Sequence, residues 1–187
     1  MTEKSIEEKA YEIINEKLEE DRRKEKWLFH VSFSIILMAV LGTIVTADSE
    51  NSVTEAIILR NEAVLYQDKA TDMWNFFQAK SMRETGYRIA NILNPRPEFE
   101  QELKRYQKEK IEIEQKAKRL DEMVEERVKA SERYYRKHHI FRISGILVQV
   151  GIALSSVSAL MKKKMVWYLA ICLATGGLVV FITALLR

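Results

Sequence analysis

The 187-residue chain has a single cysteine, two prolines and six glycines. One thiol excludes an intrachain disulfide, and Cys172 lies in an apolar run, where it reads as a packed apolar residue. Pro95 and Pro97 stand together, so almost the whole chain is free to form uninterrupted helix. A glycine-rich phosphate loop, a nucleophile elbow and an H-E-x-x-H zinc pattern are all missing. Carboxylates are abundant, but they fall on solvated helix faces where nothing tunes an acid or a base, so no enzyme is expected. An excess of one charge is missing too: 30 basic and 27 acidic residues are interleaved and leave a net charge of +3. No basic block with aromatic spacing points to nucleic acid.

What the chain does have is segregation. Its mean hydropathy of -0.21 looks soluble, yet residues 27–47, 140–160 and 165–186 are almost free of charge. Each is long enough to cross a hydrocarbon core about 30 Å thick at about 1.5 Å per helical residue. Arg142 lies near one end of the second run, from which its guanidinium can snorkel to the interface. Trp27, Tyr134, Tyr135, Trp167 and Tyr168 fall at the ends of the runs, where amphipathic rings favour the headgroup layer. Val45-Thr46-Ala47 resembles a signal-peptide cleavage site, but the preceding stretch is long and acid-rich and the apolar run exceeds an h-region, so a retained anchor is expected.

Orientation follows from lysine and arginine. Lys17, Arg22, Arg23, Lys24 and Lys26 precede the first run, and Lys162, Lys163 and Lys164 join the second to the third. Both clusters are expected on the cytoplasmic side, with the N-terminus inside and residues 48–138 outside. Arg127, Lys129, Arg133, Arg136 and Lys137 oppose this, but they belong to a long mixed-charge domain where the rule weakens. His30 then lies near the inner interface and His138 and His139 near the outer one, too far apart for one metal site, and no cofactor or metal is expected.

The fold class expected is an all-α integral membrane protein. It has an amphipathic N-terminal helix over 1–26, a first span over 27–47 and an extracytoplasmic hairpin over 48–138. Two further spans occupy 139–187. Inside the hairpin, Ser52 and Glu55 read as a capping box that starts a helix after a polar interruption at 48–52. Asn94-Pro95-Arg96-Pro97 reads as the turn, with antiparallel, coiled-coil-like arms of about 60 Å on either side. Pairing the apolar stripes sets Ile92 against Phe99, Ile89 against Leu103, Phe77 against Ile113 and Trp74 against Ala117. Further from the turn it sets Ala70 against Leu120, Ala63 against Val128 and Ala56 against Tyr135. The second arm has no break before Ile140 and is expected to run on into the second span. Near the N-terminus Ser5 and Glu8 form another capping box, and Ile6, Ala10, Ile13, Ile14 and Leu18 mark one face. Residues 2–20 hold seven acids and three lysines, so this stretch is expected to be repelled by anionic lipid and to pack on a protein partner or a second copy, or to stay weakly held.

In the second span Gly145, Gln149, Ile152 and Ser156 share a face, beside one carrying Ser144, Gly151, Ser155 and Ser158. Small and hydrogen-bonding residues are what helices in lipid use to associate. Gln149, Gly151 and Ser155 are therefore candidate contact residues, with a polar pore lined by Gln149 and the serines as the alternative. Thr175, Gly176, Gly177 and Thr183 of the third span serve either reading, and no acidic residue lies deep in any span.

One stretch carries a resemblance. Asn61-Glu62-Ala63 through Ala70-Thr71-Asp72-Met73-Trp74 and Phe77-Gln78-Ala79-Lys80-Ser81 resemble the signature of a bacterial membrane family known as domain of unknown function 4337. Leu147 to Leu154, with the basic turn and last run after them, resemble it as well, over roughly residues 50–187. Arg83 stands where that pattern has a lysine. The resemblance implies a three-span bacterial envelope protein and brings no activity with it. Asp72, Gln78 and Lys80 are expected off the seam that holds Trp74, facing a third helix or another subunit. The function expected is a membrane-anchored structural or interaction protein of the bacterial inner membrane. It would be a homo-oligomer that meets an envelope protein through the hairpin, with an oligomeric channel as the alternative.

Overall fold

The structure, a computed structural model, describes residues 3–186, with side chains from residue 12 onward. It consists of α1 (Glu3–Leu93), α2 (Pro97–Met161) and α3 (Lys164–Leu185). Each contains an apolar segment long enough to cross a membrane. The capping box at Ser5 and Glu8, with Ile6 and Ala10, lies outside the described side chains, as does Arg187. Ile13, Ile14 and Leu18 are exposed.

The breaks fall where backbone chemistry forces them. Asn94 to Arg96 close α1, and Pro97 begins α2 at a position where a missing N–H costs nothing. Glu98 and Glu100 in its first turn complement the helix dipole. The second break is made by Lys162, which adopts a left-handed φ of 54°, and by Lys163, whose carbonyl accepts from Ser158 Oγ at 2.8 Å. As expected, α2 runs through Ile140 without a break.

Residues 48–52 are a correction. They were expected to interrupt the chain, and Ser52 to start a helix, but all lie within α1. Polar composition does not break a helix when neither glycine nor proline is present. Ser49 and Ser52 are instead buried on its contact side.

Two compact units divide the chain, one from Met1–Glu50 with Lys137–Arg187, the other from Asn51–Arg136. In the first, α1 buries Val31, Met38 and Val45 at seven-residue steps. Val45, Phe141, Phe181 and Ala184 form one core cluster, and Met38, Val148 and Ala174 form another. In the second, Ala56, Ala63 and Ala70 of α1 are buried, as are Tyr106, Ile113, Ala117 and Ser131 of α2. Partners on α2 fall in number as those on α1 rise: Ala56 with Ser131, Glu62 with Arg127, Trp74 with Asp121 and Lys80 with Glu109.

Candidate interaction site

The contact side of α2 in the first unit sets small residues between Phe141 and Val148 and beyond them. A Cβ on Gly177 would stand 2.9 Å from the Ser144 carbonyl oxygen, and one on Gly151 would stand 3.0 Å from that of Ala170. At Gly177 a side chain would force the backbone apart, and at Gly151 the neighbours would have to give by a few tenths of an ångström. Gly42 and Gly145 have ordinary van der Waals room. Ser144 Oγ donates to the Gly177 carbonyl at 2.6 Å, and Ser155 Oγ donates to Met38 Sδ at 3.9 Å. Ser144, Ser155 and Ser158 are fully buried. Gly151 and Ser155 therefore pack within the chain, against α3 and α1.

Other hydroxyls in the apolar segments bond to their own helices. Thr43 donates to Ala39, Thr46 to Gly42, Ser156 to Ile152 and Thr183 to Val180. Trp167 Nε1 donates to Ser34 Oγ at 3.1 Å. Gln149 differs. It is exposed, and among the described residues its carboxamide has no hydrogen-bond partner. It borders an open groove of about 390 Å³ with Ile152 and, on α1, Ala39, Gly42, Thr43, Thr46, Ala47 and, at one end, Glu50.

In the second unit the seam changes character after Ala70. Trp74 Nε1 donates to Asp121 Oδ2 at 3.0 Å, one turn beyond Ala117, which is the position expected to face it. Lys80 is a correction: expected off the seam, it is only 14% exposed and donates to Glu109 Oε2 at 2.5 Å. Its ammonium also lies 5.2 Å from the ring centres of Phe76 and Tyr106. Glu84, with a side chain 6% exposed, accepts from Lys110 at 2.8 Å and from Arg88. Tyr87 stacks on Tyr106 at 5.6 Å and meets Phe99 at 6.0 Å. This displaces the expected pairs nearest the turn: Ile89 and Ile92 are exposed. Tyr135 is exposed as well, and Ser131 rather than Tyr135 faces Ala56. Asp72 and Gln78 lie on the exposed side of α1.

The charges are tuned by their partners. Lys110 holds the Glu84 carboxyl below its usual range, overcoming burial, with Arg88 assisting. Lys80 does the same for Glu109. The signal for this cluster was present in the sequence. Trp74, Phe77, Lys80, Glu84 and Tyr87 recur at three- and four-residue steps, the spacing of one helix face. A pattern read in apolar residues alone passes over it.

The three histidines do not converge. His30 Nδ1 lies 2.6 Å from the Lys26 carbonyl, and His138 Nδ1 lies 3.0 Å from Ser49 Oγ. Among the described residues no group of side chains is arranged to hold a metal ion.

The model of a family described as domain of unknown function (DUF4337) matches residues 27–187. The match starts at Trp27 and so takes in the first apolar run, which the quoted resemblance left out. No curated protein matches the chain, and no solved structure does.

Proposed function

The chain belongs to the DUF4337 family, and from that premise we propose that it is a structural or interaction protein of a bacterial inner membrane that assembles with copies of itself. Residues 27–47, 140–160 and 165–186 cross the bilayer. The basic clusters before Trp27 and at Lys162 to Lys164 lie in the cytoplasm. Residues 51–136 form an antiparallel hairpin in the aqueous space outside, available to another envelope protein. The outward faces of the apolar segments support the spans. Phe29, Phe33, Ile36, Leu37, Val40 and Ile44 of α1 are all exposed, and lipid is the solvent that covers such a surface without cost.

Gln149 carries the assembly reading. A carboxamide facing hydrocarbon without a partner costs several kcal/mol by rough estimate. A second copy of α2, closing on the groove of small residues beside it, supplies donors and acceptors. Reconstitution of wild type and Gln149→Leu tests this. The expected result is a multi-subunit complex for wild type and a shift toward monomer for the variant, measured as mass in lipid nanodiscs. A monomeric wild type overturns the proposal.

A second reading rests on the same exposure. In a ring of copies, Gln149 and Ser156, both open on α2, line a polar path. Ion flux in vesicles separates the two. Flux that falls in Gln149→Leu while the complex keeps its mass favours the pore. Absence of flux in both proteins favours packing.

A further inference from the structure

The chain has three tryptophans, and two have satisfied indoles: Trp74 on Asp121 and Trp167 on Ser34. Trp27 Nε1 is buried and has no hydrogen-bond partner among the described residues. Buried indole N–H groups ordinarily find an acceptor, so this one points to something the described residues do not provide. Trp27 lines a cavity of about 420 Å³ whose wall also holds Arg23, Lys24, Lys162 and Lys164. Lys24 is engaged by Glu20 at 3.2 Å. Among the described residues no carboxylate pairs with Arg23, Lys162 or Lys164. Glu16 and Glu20 reduce the positive charge of the wall but leave cations in excess.

Lys162 takes its place through the left-handed turn between α2 and α3, which brings it to the same cavity as the stretch of α1 just before the first span. A pocket at this depth, with an indole donor at the start of an apolar helix and ammonium groups around it, has the chemistry of a phospholipid headgroup site. The phosphodiester takes the cations, and a turn of the Trp27 ring, whose Nε1 is buried as the ring stands, brings the indole proton to an ester or phosphate oxygen. We propose that this cavity binds the headgroup of an anionic phospholipid of the cytoplasmic leaflet. The inference rests on the membrane reading above, and it goes beyond it by assigning a lipid class and the residues that select it.

The test uses the full-length protein in vesicles of phosphatidylcholine with graded phosphatidylglycerol, followed by native mass spectrometry of the lipid retained. Wild type is expected to retain phosphatidylglycerol selectively. The Arg23→Gln/Lys162→Gln/Lys164→Gln variant should lose that preference by about tenfold or more. Trp27→Phe, which keeps every charge and so the orientation, should lose it by a smaller factor of about two to five. Lys104→Gln/Lys116→Gln/Arg133→Gln removes the same charge from the other unit and should retain lipid like wild type.

Equal retention of the two lipids by wild type overturns the inference. So does an equal loss in both triple variants, which would mean unspecific attraction. Displacement of phosphatidylglycerol by millimolar inorganic phosphate assigns the site to a free anion and also overturns it. Failure of the membrane reading looks different: the protein then enters vesicles of neither composition.

Discussion

The two units solve helix packing with opposite materials. Between α2 and α3 the contact joins Gly151, Gly177 and buried serines to the ring pair Phe141 and Phe181, with one helix near enough to the next for a hydroxyl to bond a neighbouring carbonyl and without charged side chains. Between α1 and α2 over residues 74–110 it is made by Trp74, Phe77, Tyr87 and Tyr106 interleaved with Lys80, Glu84, Glu109 and Lys110. The difference follows from the solvent each proposed environment offers. Lipid gives no hydrophobic reward for joining two helices, so contact must come from close approach and internal hydrogen bonds. Water rewards burial of large rings, and it lets charged side chains reach the rim while they fix register.

The largest effect that breaks this comparison is expected at Gly177. Gly177→Leu drives a side chain into Ser144 and Leu147 and should cost about 3 kcal/mol of unfolding free energy in detergent. Gly176→Leu, at a position with open space around it, should cost less than about 0.5 kcal/mol. Comparable losses from both would remove the close-approach argument.

Next comes Lys110→Met, which leaves Glu84 with Arg88 and Gln107 but without its cross-helix cation. Urea unfolding followed through Trp74 should show a loss of about 1–3 kcal/mol. The same cluster fixes a pH dependence. Glu84 and Glu109 have lowered pKa values in the folded state. Their contribution is therefore complete above the unfolded carboxylate value of about 4.3 and disappears as pH falls through the lower folded values. Unfolding midpoints should be level from pH 6 to 8, as a rough window, and drop steeply only below about pH 4. A Glu84→Gln/Glu109→Gln protein should show a shallower acid drop.

Smaller still, Ser144→Ala removes one interhelical bond and should cost about 1 kcal/mol. Ile92→Ala, on an exposed position, should change stability by less than about 0.5 kcal/mol. A loss above about 2 kcal/mol there would restore the apolar pairing with Phe99 in place of the ionic seam.

Much of the fold was legible in the sequence because its determinants are local. Three runs almost free of charge, a Pro-x-Pro break and a Lys-Lys-Lys turn mark the spans and the ends of helices without reference to anything distant. The polar stretch at 48–52 misled because composition was taken for a break, although Gly42, Ser49, Ala56, Ala63 and Ala70 already repeat every seven residues through it. The candidate contact residues were separable only in part. Gly151 and Ser155 lie two and six residues beyond Gln149, and nothing in their spacing says which of two neighbouring faces α1 and α3 cover. Lys80 was misplaced for a related reason: a buried lysine is paired through Glu109, a residue distant in sequence, and an apolar pattern does not register it.

The measurement that tests the account most directly is the sidedness of two single cysteines placed in a Cys172→Ser background. Arg96→Cys lies in the turn between α1 and α2, and Lys163→Cys lies in the turn between α2 and α3. In intact spheroplasts of a bacterial host, a membrane-impermeant maleimide is expected to label the cysteine at 96 and to reach the one at 163 only after lysis. Labelling of 163 in intact spheroplasts, or protection of 96, would contradict the three-span arrangement with residues 51–136 outside.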